Sequence, residues 1–249
     1  MAGAVLPLMG KYFFSPEDRD GQFVRLTGSK AHHLANVMRL RIGDEITLCD
    51  GMGSDFRAKL ENIKRSDLLF LLLTSVPSEI ELPFPITLFQ GVPKGDKMDW
   101  IIGKAVEMGV SKIVPVRTEH SEARIEDTIK KRLRYERVAL AAAAQSMRGC
   151  LPIIESFIDF HDALCLDSQS DISLVAHEKE NIQTIKSALQ GKSSSSISIW
   201  VGPEGGFSVK EVDKFISKKL ACVSLGKRIL RCETAGLVAL SQIIYEWYL

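Results

Sequence analysis

The sequence has almost no net charge and no long hydrophobic run. Its 32 Lys and Arg residues nearly balance 31 Asp and Glu residues, which leaves a formal net charge of +1. This balance excludes a histone-like polycation, although a local basic stripe can still bind nucleic acid. The longest strongly apolar stretch, Leu68 to Val76, is too short to cross a bilayer. Residues 1–9 lack the basic start of a signal peptide. We therefore expect a cytoplasmic protein that does not enter a membrane.

The five cysteines are scattered along the chain and form no CxxC pair. An odd number without paired spacing favours neither a disulfide framework nor a zinc knuckle, so we expect free thiols in a reducing compartment. The adjacent His32 and His33 would point in different directions on a helix and have no acidic or cysteine neighbour. We expect no metal site.

The sequence pattern changes near residue 79. Over residues 1–78, short strand patterns separated by Gly and Asp turns predict a small β-barrel. Residues 79–85 hold two prolines and two acids, which is typical of a linker. From 86 to 249, strand and helix patterns alternate, and this alternation predicts an α/β domain with a mostly parallel sheet.

Two loops in the second part each follow an apolar strand and precede a helix. Residues 202–206 (GPEGG) stand before a capping box formed by Ser208 and Glu211. Glycines let backbone approach a ligand closely, and open α/β sheets bind ligands past the carboxyl ends of their strands. Residues 225–235 (LGKRILRCETA) carry three basic residues that can hold an anion or stabilise developing negative charge. A tight turn without a ligand and a basic surface loop remain the competing interpretations.

Several basic residues are candidates for contacts with RNA phosphates. Residues 130–137 contain five basic residues and one acid, and Tyr135 within this run is suited to stacking on a base. A solvated helix face is the alternative interpretation of the run. The candidate RNA contacts are Arg39, Arg41, Lys94, Lys97, Arg132, Arg134 and Arg148.

Six segments together resemble the knotted, SPOUT-type RNA methyltransferases. They are residues 94–100 (KGDKMDW), 107–110 (EMGV), 118–121 (TEHS), 145–148 (QSMR), 202–208 (GPEGGFS) and 225–235. Within that class they look like the family that methylates N3 of a uridine in small-subunit (16S) ribosomal RNA. The N-terminal part is similar to that family's PUA-like RNA-binding barrel through residues 13–14 and 37–39. The implied fold is therefore a PUA-like β-barrel followed by a knotted α/β domain.

The resemblance implies that S-adenosylmethionine binds in a deep trefoil knot, a rare exception among protein chains. It also implies ribosomal RNA or the small ribosomal subunit as the partner, and a homodimer formed through the knotted domains. The apolar stripe of the last helix, Leu237, Leu240, Ile244 and Trp247, is the expected dimer surface. The implied cofactor-binding residues are Leu174, Val175, Ala176, His177, Gly202, Pro203, Glu204, Gly205, Gly206, Leu225, Gly226, Arg228, Ile229, Leu230 and Arg231.

Four positions depart from the pattern that is usual in this family. His120 stands where arginine is usual, Ala144 where glutamate is usual, and Met147 where glycine is usual. These three lie in segments expected near the RNA. Glu178 stands where proline is common, beside the implied cofactor loop.

Methylation of uridine N3 requires loss of the N3 proton and stabilisation of the negative charge on the flanking carbonyl oxygens. Arg231 is the expected charge stabiliser, and Glu204 and Glu233 are the candidate bases. Either glutamate can instead serve a structural role, because a carboxylate near a helix start satisfies free amides. Two other functions stay open: methylation of another ribosomal or transfer RNA nucleotide, and RNA binding without catalysis. The intact GPEGG and LGKRILRCETA loops argue against the latter.

Overall fold

The computed structural model describes residues 11–64, 67–121, 128–192 and 195–248. These residues form two compact units, Met1–Glu81 with Ala143–Leu151 and Leu82–Ala142 with Pro152–Leu249. The boundary expected at residues 79–85 stays a prediction. The return of residues 143–151 to the N-terminal unit had no signal in the sequence pattern.

A curled β-sheet makes up most of the first unit. Its elements are β1 (Tyr12–Phe13), β2 (Arg19–Asp20), β3 (Phe23–Leu26), α1 (Gly28–His32), β4 (Glu45–Cys49), β5 (Ser54–Lys64) and β6 (Asp67–Pro77). The strand order is β1-β4-β5-β6-β3-β2, antiparallel except for the pair of β1 and β4. Two register shifts between β5 and β6 bend these long strands, as bulges do. α1 continues directly into one wider turn, His33–Val37.

Within the first unit, Arg148 is buried against Glu81 and is not an RNA contact. Its guanidinium is 2.7 Å from the Glu81 carboxylate, and the residue is only 4% exposed. Glu81 also accepts hydrogen bonds from the amides of Gly149 and Cys150, at 2.9 and 3.0 Å. Burial alone would raise the pKa of Glu81, but Arg148 and these amides outweigh it and lower that pKa. The expectation that Arg148 meets phosphate is therefore wrong, because its charge is already satisfied inside the unit.

A parallel sheet forms the centre of the second unit. The elements are β7 (Ile86–Gly91), α2 (Lys97–Glu107), β8 (Lys112–Arg117), α3 (Thr128–Gln145), β9 (Ile153–Ile154), β10 (Ile158–Asp159), α4 (Phe160–Asp167), β11 (Ile172–Ala176), α5 (Ile185–Leu189), β12 (Ile197–Val201), α6 (Val209–Ser217), β13 (Ala221–Val223) and α7 (Cys232–Trp247). The strand order is β10-β8-β7-β12-β11-β13, with β9 beside β8, and every pair is parallel. The predicted fold class is confirmed.

The core of the second unit is dense and aromatic. Trp200 of β12 is fully buried and stacks on Phe89 of β7, with ring centroids 4.4 Å apart. Phe215 of α6 meets the edge of the same indole at 5.0 Å. Such pairs add to the free energy gained by burying apolar area. This packing fixes α6, and therefore the loop that precedes it, against the centre of the sheet.

Most elements of the second unit match the sequence pattern, and the shortest ones do not. β11 and β12 coincide with short apolar runs, and the Ser208–Glu211 capping box is present at the start of α6. β9, β10 and α4 had no usable signal, because two residues show no alternation and eight give a weak helical period. Of the described residues, none forms a helix long and apolar enough to cross a membrane. They also contain no group of three or more His, Cys, Asp or Glu that could hold a metal ion.

Three non-glycine residues of the described part of the chain, Arg39, Met147 and Lys219, have a positive φ, a conformation in which glycine is less strained. Met147, at one of the positions that depart from the family pattern, has φ 63°. Lys219 also has φ 63°, is exposed, and follows the last residues of α6. Its amide bonds the carbonyl of Ile216 at 2.9 Å, and the next amide bonds Phe215 at 3.0 Å. This is the helix ending at which glycine is preferred.

Replacing Lys219 with glycine is expected to stabilise the protein. A left-handed conformation costs a non-glycine residue about 1–2 kcal/mol, and the larger chain entropy of unfolded glycine offsets part of the gain. Lys219→Gly should therefore raise the free energy of unfolding by roughly 0.5–1 kcal/mol. Chemical denaturation measures this change. The matched control Lys214→Gly, inside the same helix, should lower it by about 1 kcal/mol. Equal losses in both variants would contradict the interpretation.

Candidate functional site

Three loops of the second unit line one cavity of about 490 Å³. They follow β11, β12 and β13, which are neighbours in the sheet in the order β12-β11-β13. Parallel neighbours end at the same edge of a sheet, so their loops meet there. The volume is within the usual range for a small-molecule site.

The structure brings nearly all of the residues expected at the cofactor to this cavity. The predicted residues that line it are Ala176, His177, Gly202, Pro203, Glu204, Gly205, Gly206, Leu225, Gly226, Arg228, Ile229, Leu230 and Arg231. Leu174 and Val175 do not line it, and for them the expectation is wrong. Both are fully buried in β11, because a strand inside a parallel sheet is covered on both faces.

The GPEGG loop is packed so closely that its glycines have little room for side chains. A Cβ on Gly202 would lie 3.0 Å from the backbone of Gly206, and one on Gly205 would lie 3.0 Å from the Cβ of His120. Gly206 has φ 65°, and a Cβ there would stand 3.3 Å from the Glu178 carboxylate. The part of the cavity wall that this loop forms therefore consists largely of backbone.

Lys97 provides a positive charge at the cavity, where it pairs with carboxylates. Its ammonium is 2.7 Å from Glu204 and 3.8 Å from Glu233. The backbone amide of Lys94 also points to Glu204, at 3.2 Å. Burial alone would raise the pKa of Glu204, but the Lys97 ammonium and the backbone amides outweigh it and lower that pKa. Sequence reasoning placed Lys97 among the RNA contacts, whereas the structure places it on the cavity wall.

Glu233 and Cys232 begin α7 beside this cluster. The amide of Glu233 itself, the Cys232 thiol and Lys97 lower the pKa of the Glu233 carboxyl. The thiol lies 3.1 Å from that carboxylate and donates to it. Burial, reinforced by the neighbouring carboxylate, raises the pKa of Cys232 to about 12. Cys232 therefore stays a neutral thiol near pH 7 and is no nucleophile.

The rim of the cavity combines exposed basic groups with one exposed apolar side chain. Arg228 and Arg231 are exposed, and Ile229 between them is 87% exposed. The Arg231 carbonyl accepts the amides of Thr234 and Ala235 at 2.9 and 2.8 Å, so its backbone is fixed at the start of α7. An exposed isoleucine at a cavity mouth is suited to packing on an apolar ligand face.

Other residues that line the cavity were not predicted from the sequence. They are Glu178, Asn181, Val201, Ser224, Lys227, Cys232 and Ala235. Each is next to, or within a few residues of, a predicted position. The available signal was their place just beyond a strand end, which selects a loop but not the side chains that turn inward.

The remaining RNA candidates have different surroundings. Arg39 and Arg41 of the first unit are exposed, as is Lys94 of the second. In the second unit, Arg134 pairs with Asp99 at 2.6 Å, and Arg132 pairs with Glu136 at 2.8 Å. Both pairs lie at the surface, so a phosphate can displace the carboxylates at modest cost. Tyr135 is buried against Phe157, with ring centroids 5.7 Å apart, and the expectation that it stacks on a base is wrong.

Comparison with known families defines the class of this protein. A family model described as an RNA methyltransferase domain matches residues 80–244, and one described as an RNA methyltransferase PUA domain matches residues 26–73. The chain belongs to this family of RNA methyltransferases, as the SPOUT-type motifs indicated.

Individual relatives are similar along most of their length. The chain is 35% identical to ribosomal RNA small subunit methyltransferase E of Bacillus subtilis, over 89% of both proteins. It is 33% identical to the protein of that name from Synechocystis, over 92% of this chain and 75% of the relative. A solved structure with that name, from Neisseria gonorrhoeae and bound to S-adenosyl methionine, is 32% identical with a TM-score of 0.83. That match covers 96% of this chain and 98% of the other.

Removing the Lys97 charge is expected to raise the pKa of the Glu204 carboxyl. In Lys97→Met the ammonium that offsets burial is lost, so the carboxylate should take up a proton at higher pH. Carbon-detected NMR titration of the side-chain carboxyl measures the change. The wild-type pKa is depressed, so any stability that this pair contributes is present above the unfolded pKa. That contribution is lost as the pH falls through the folded pKa.

The matched control is Lys104→Met on the same helix. Lys104 pairs with Glu107 at 2.7 Å and should leave the Glu204 titration unchanged. The same titration curve in wild type and Lys97→Met would show that the pairing does not set the charge of Glu204.

Proposed function

We propose that this chain transfers the methyl group of S-adenosylmethionine to N3 of a uridine in small-subunit ribosomal RNA. The observation that carries the proposal is the single cavity lined by the loops after β11, β12 and β13. Relatives named for small-subunit ribosomal RNA support the substrate, and the cofactor bound in the Neisseria gonorrhoeae structure supports the methyl donor.

The residues of the cavity fit S-adenosylmethionine. Leu225, Ile229 and Leu230 offer apolar surface for the adenine, and the glycine backbone of residues 202–206 lets the ligand approach closely. Lys97 and Glu204 provide charges of both signs for the amino acid end of the ligand. When bound, the cofactor supplies a methyl group on a sulfonium, which is already activated for transfer.

The chain's own residues must make uridine N3 nucleophilic. Glu204 and Glu233 are the proposed bases, but both have lowered pKa values, whereas an effective base has a pKa near the working pH. Stabilising the anion that forms is therefore the larger task. We assign it to Arg231, whose exposed side chain at the rim can reach a carbonyl oxygen of the base. Lys97 holds the carboxylates in their ionised form.

RNA binding is proposed to involve both units. Arg39 and Arg41 are the candidate phosphate contacts of the first unit, which matches the PUA model. Lys94, Arg132 and Arg134 are the candidates of the second unit. Phosphate contacts of this kind give affinity that falls with salt and carry no base specificity.

A homodimer formed through α7 is also proposed, with Leu237 and Ile244, which are half-buried, kept from the expected surface. Leu240 is fully buried, and Trp247 packs edge-on against Phe84 with ring centroids 5.2 Å apart. Leu240 belongs to the core of its own unit, so its assignment to the dimer surface is wrong, whereas Trp247 is half-buried and its assignment stays a prediction. Tyr245 of the same helix is 66% exposed and is available to a partner.

Methylation of purified RNA tests the proposed function. The protein is incubated with S-adenosylmethionine and either free 16S ribosomal RNA or assembled small subunits, and nucleosides are analysed by mass spectrometry. 3-Methyluridine in either arm is the expected product. A different methylated nucleotide, or product only with transfer RNA, supports the alternative substrate. RNA binding with neither methyl transfer nor cofactor binding supports a non-catalytic factor.

Replacing Arg231 is expected to reduce the rate of methyl transfer more than binding. Its charge is most valuable when the uridine ring is anionic, so the loss falls on the transition state. Arg231→Ala should lower the single-turnover rate by roughly two to three orders of magnitude, as when one stabilising donor is removed. Arg231→Lys should recover part of this, because it keeps the charge but loses the planar fork.

Lys218→Ala is the matched control, since Lys218 is an exposed lysine of the same unit and is not among the described residues that line the cavity. It should change the rate little. Cofactor affinity and RNA affinity are measured on each variant. A rate defect in Arg231→Ala that weaker cofactor binding fully explains would remove Arg231 from the chemistry.

A further inference from the structure

A short turn after β8 packs against the GPEGG loop. It comprises Thr118–Ser121, here called the β8 turn, and it is closed by its own hydrogen bonds. The Ser121 amide bonds the Thr118 carbonyl at 3.0 Å, and the two hydroxyls lie 2.9 Å apart. Thr118 is buried. The turn is therefore a fixed support and not a loose surface loop.

Glu211 ties this turn to the start of α6. Its carboxylate accepts the amide of Ser208 at 2.8 Å and the amide of Glu119 at 2.9 Å. The residue is only 6% exposed, so both bonds are shielded from water. One carboxylate thus connects the β8 turn with the residue that ends the GPEGGFS segment.

His120 makes the second connection, directly to the glycine loop. Its Nδ1 lies 2.9 Å from the Gly205 carbonyl oxygen and 3.3 Å from that of Gly206. A carbonyl only accepts, so Nδ1 must carry the hydrogen and donate it. The Cβ of His120 also lies 3.0 Å from where a Cβ on Gly205 would be. His120 is not among the described residues that line the cavity.

We propose that His120 is a positioning residue for the cofactor loop. By bonding the carbonyls of Gly205 and Gly206, it fixes the loop conformation in which residues 202–206 line the cavity. The loop is otherwise rich in glycine, which loses more conformational freedom on ordering than any other residue. The inference rests on the proposed function in taking S-adenosylmethionine as the ligand. It assigns His120 to the cofactor side of the site.

Asparagine and glutamine variants separate the hydrogen bond from the shape of the side chain. The amide nitrogen of asparagine is attached at Cγ, as Nδ1 is in histidine, whereas that of glutamine lies one atom further out. Calorimetry should show S-adenosylmethionine binding about three- to tenfold more weakly to His120→Ala and His120→Gln. His120→Asn should bind close to wild type. The control His161→Ala removes an exposed histidine of the same unit and should have no effect.

A second measurement does not need the ligand. The Gly206 amide bonds the Pro203 carbonyl at 2.9 Å within the loop, so its hydrogen exchange reports whether the loop is held. Exchange should accelerate in His120→Ala and His120→Gln and stay slow in His120→Asn. Equal cofactor affinity and equal exchange in wild type and His120→Ala would overturn the inference. So would an asparagine variant as impaired as the other two.

The two proposals fail in different ways. If the wild-type protein does not bind S-adenosylmethionine, the proposed function fails, and the exchange of Gly206 still decides whether His120 holds the loop. If wild type binds and His120→Ala matches it in both cofactor affinity and Gly206 exchange, the positioning role fails and the function stands. Should His120→Ala not fold, the comparison of the asparagine and glutamine variants gives the same decision.

Discussion

The site depends on one constraint, the parallel alignment of β12, β11 and β13 in the sheet. Parallel strands end on the same side, so three loops that are far apart in sequence meet at one edge. In the core, Trp200 stacks on Phe89, and Phe215 packs edge-on against the same indole. These contacts hold that edge of the sheet in place. The strands fix the point at which each loop begins. Each loop can therefore contain glycines and charged residues, because its position does not depend on apolar packing within the loop itself.

The charges at this edge act as one group. Lys97 is shared between Glu204 and Glu233, and both carboxylates have lowered pKa values. Carboxylates held in this way are weak bases, so they suit the binding of a charged ligand better than the removal of a proton from a ring nitrogen. This balance supports the proposal that stabilising an anion is the main chemical task, which we assign to Arg231 at the exposed rim.

The strands, the loops and the family were readable from the sequence, but the direction of individual side chains was not. The residues of GPEGG line the cavity as expected, because the loop begins directly at the end of β12, and the position of the strand end fixes the position of the loop. Leu174 and Val175 were assigned with their loop although a strand buried on both faces turns them into the core. Arg148 and Lys97 read as free basic residues, because their partners Glu81 and Glu204 are distant in sequence. Ion pairs between distant residues leave no periodic pattern.

A glycine-rich loop lets a ligand approach the backbone closely, but ordering such a flexible segment costs conformational entropy. Here the cost is reduced by bonds from residues outside the loop. The Gln90 amide donates to the Gly202 carbonyl at 3.4 Å, and Gly91 leaves room for Pro203, whose Cδ would lie 2.5 Å from a Cβ there. His120 holds Gly205, and Glu211 holds the end of the segment. The ligand then meets a loop that is already ordered, so more of the interaction energy appears as affinity.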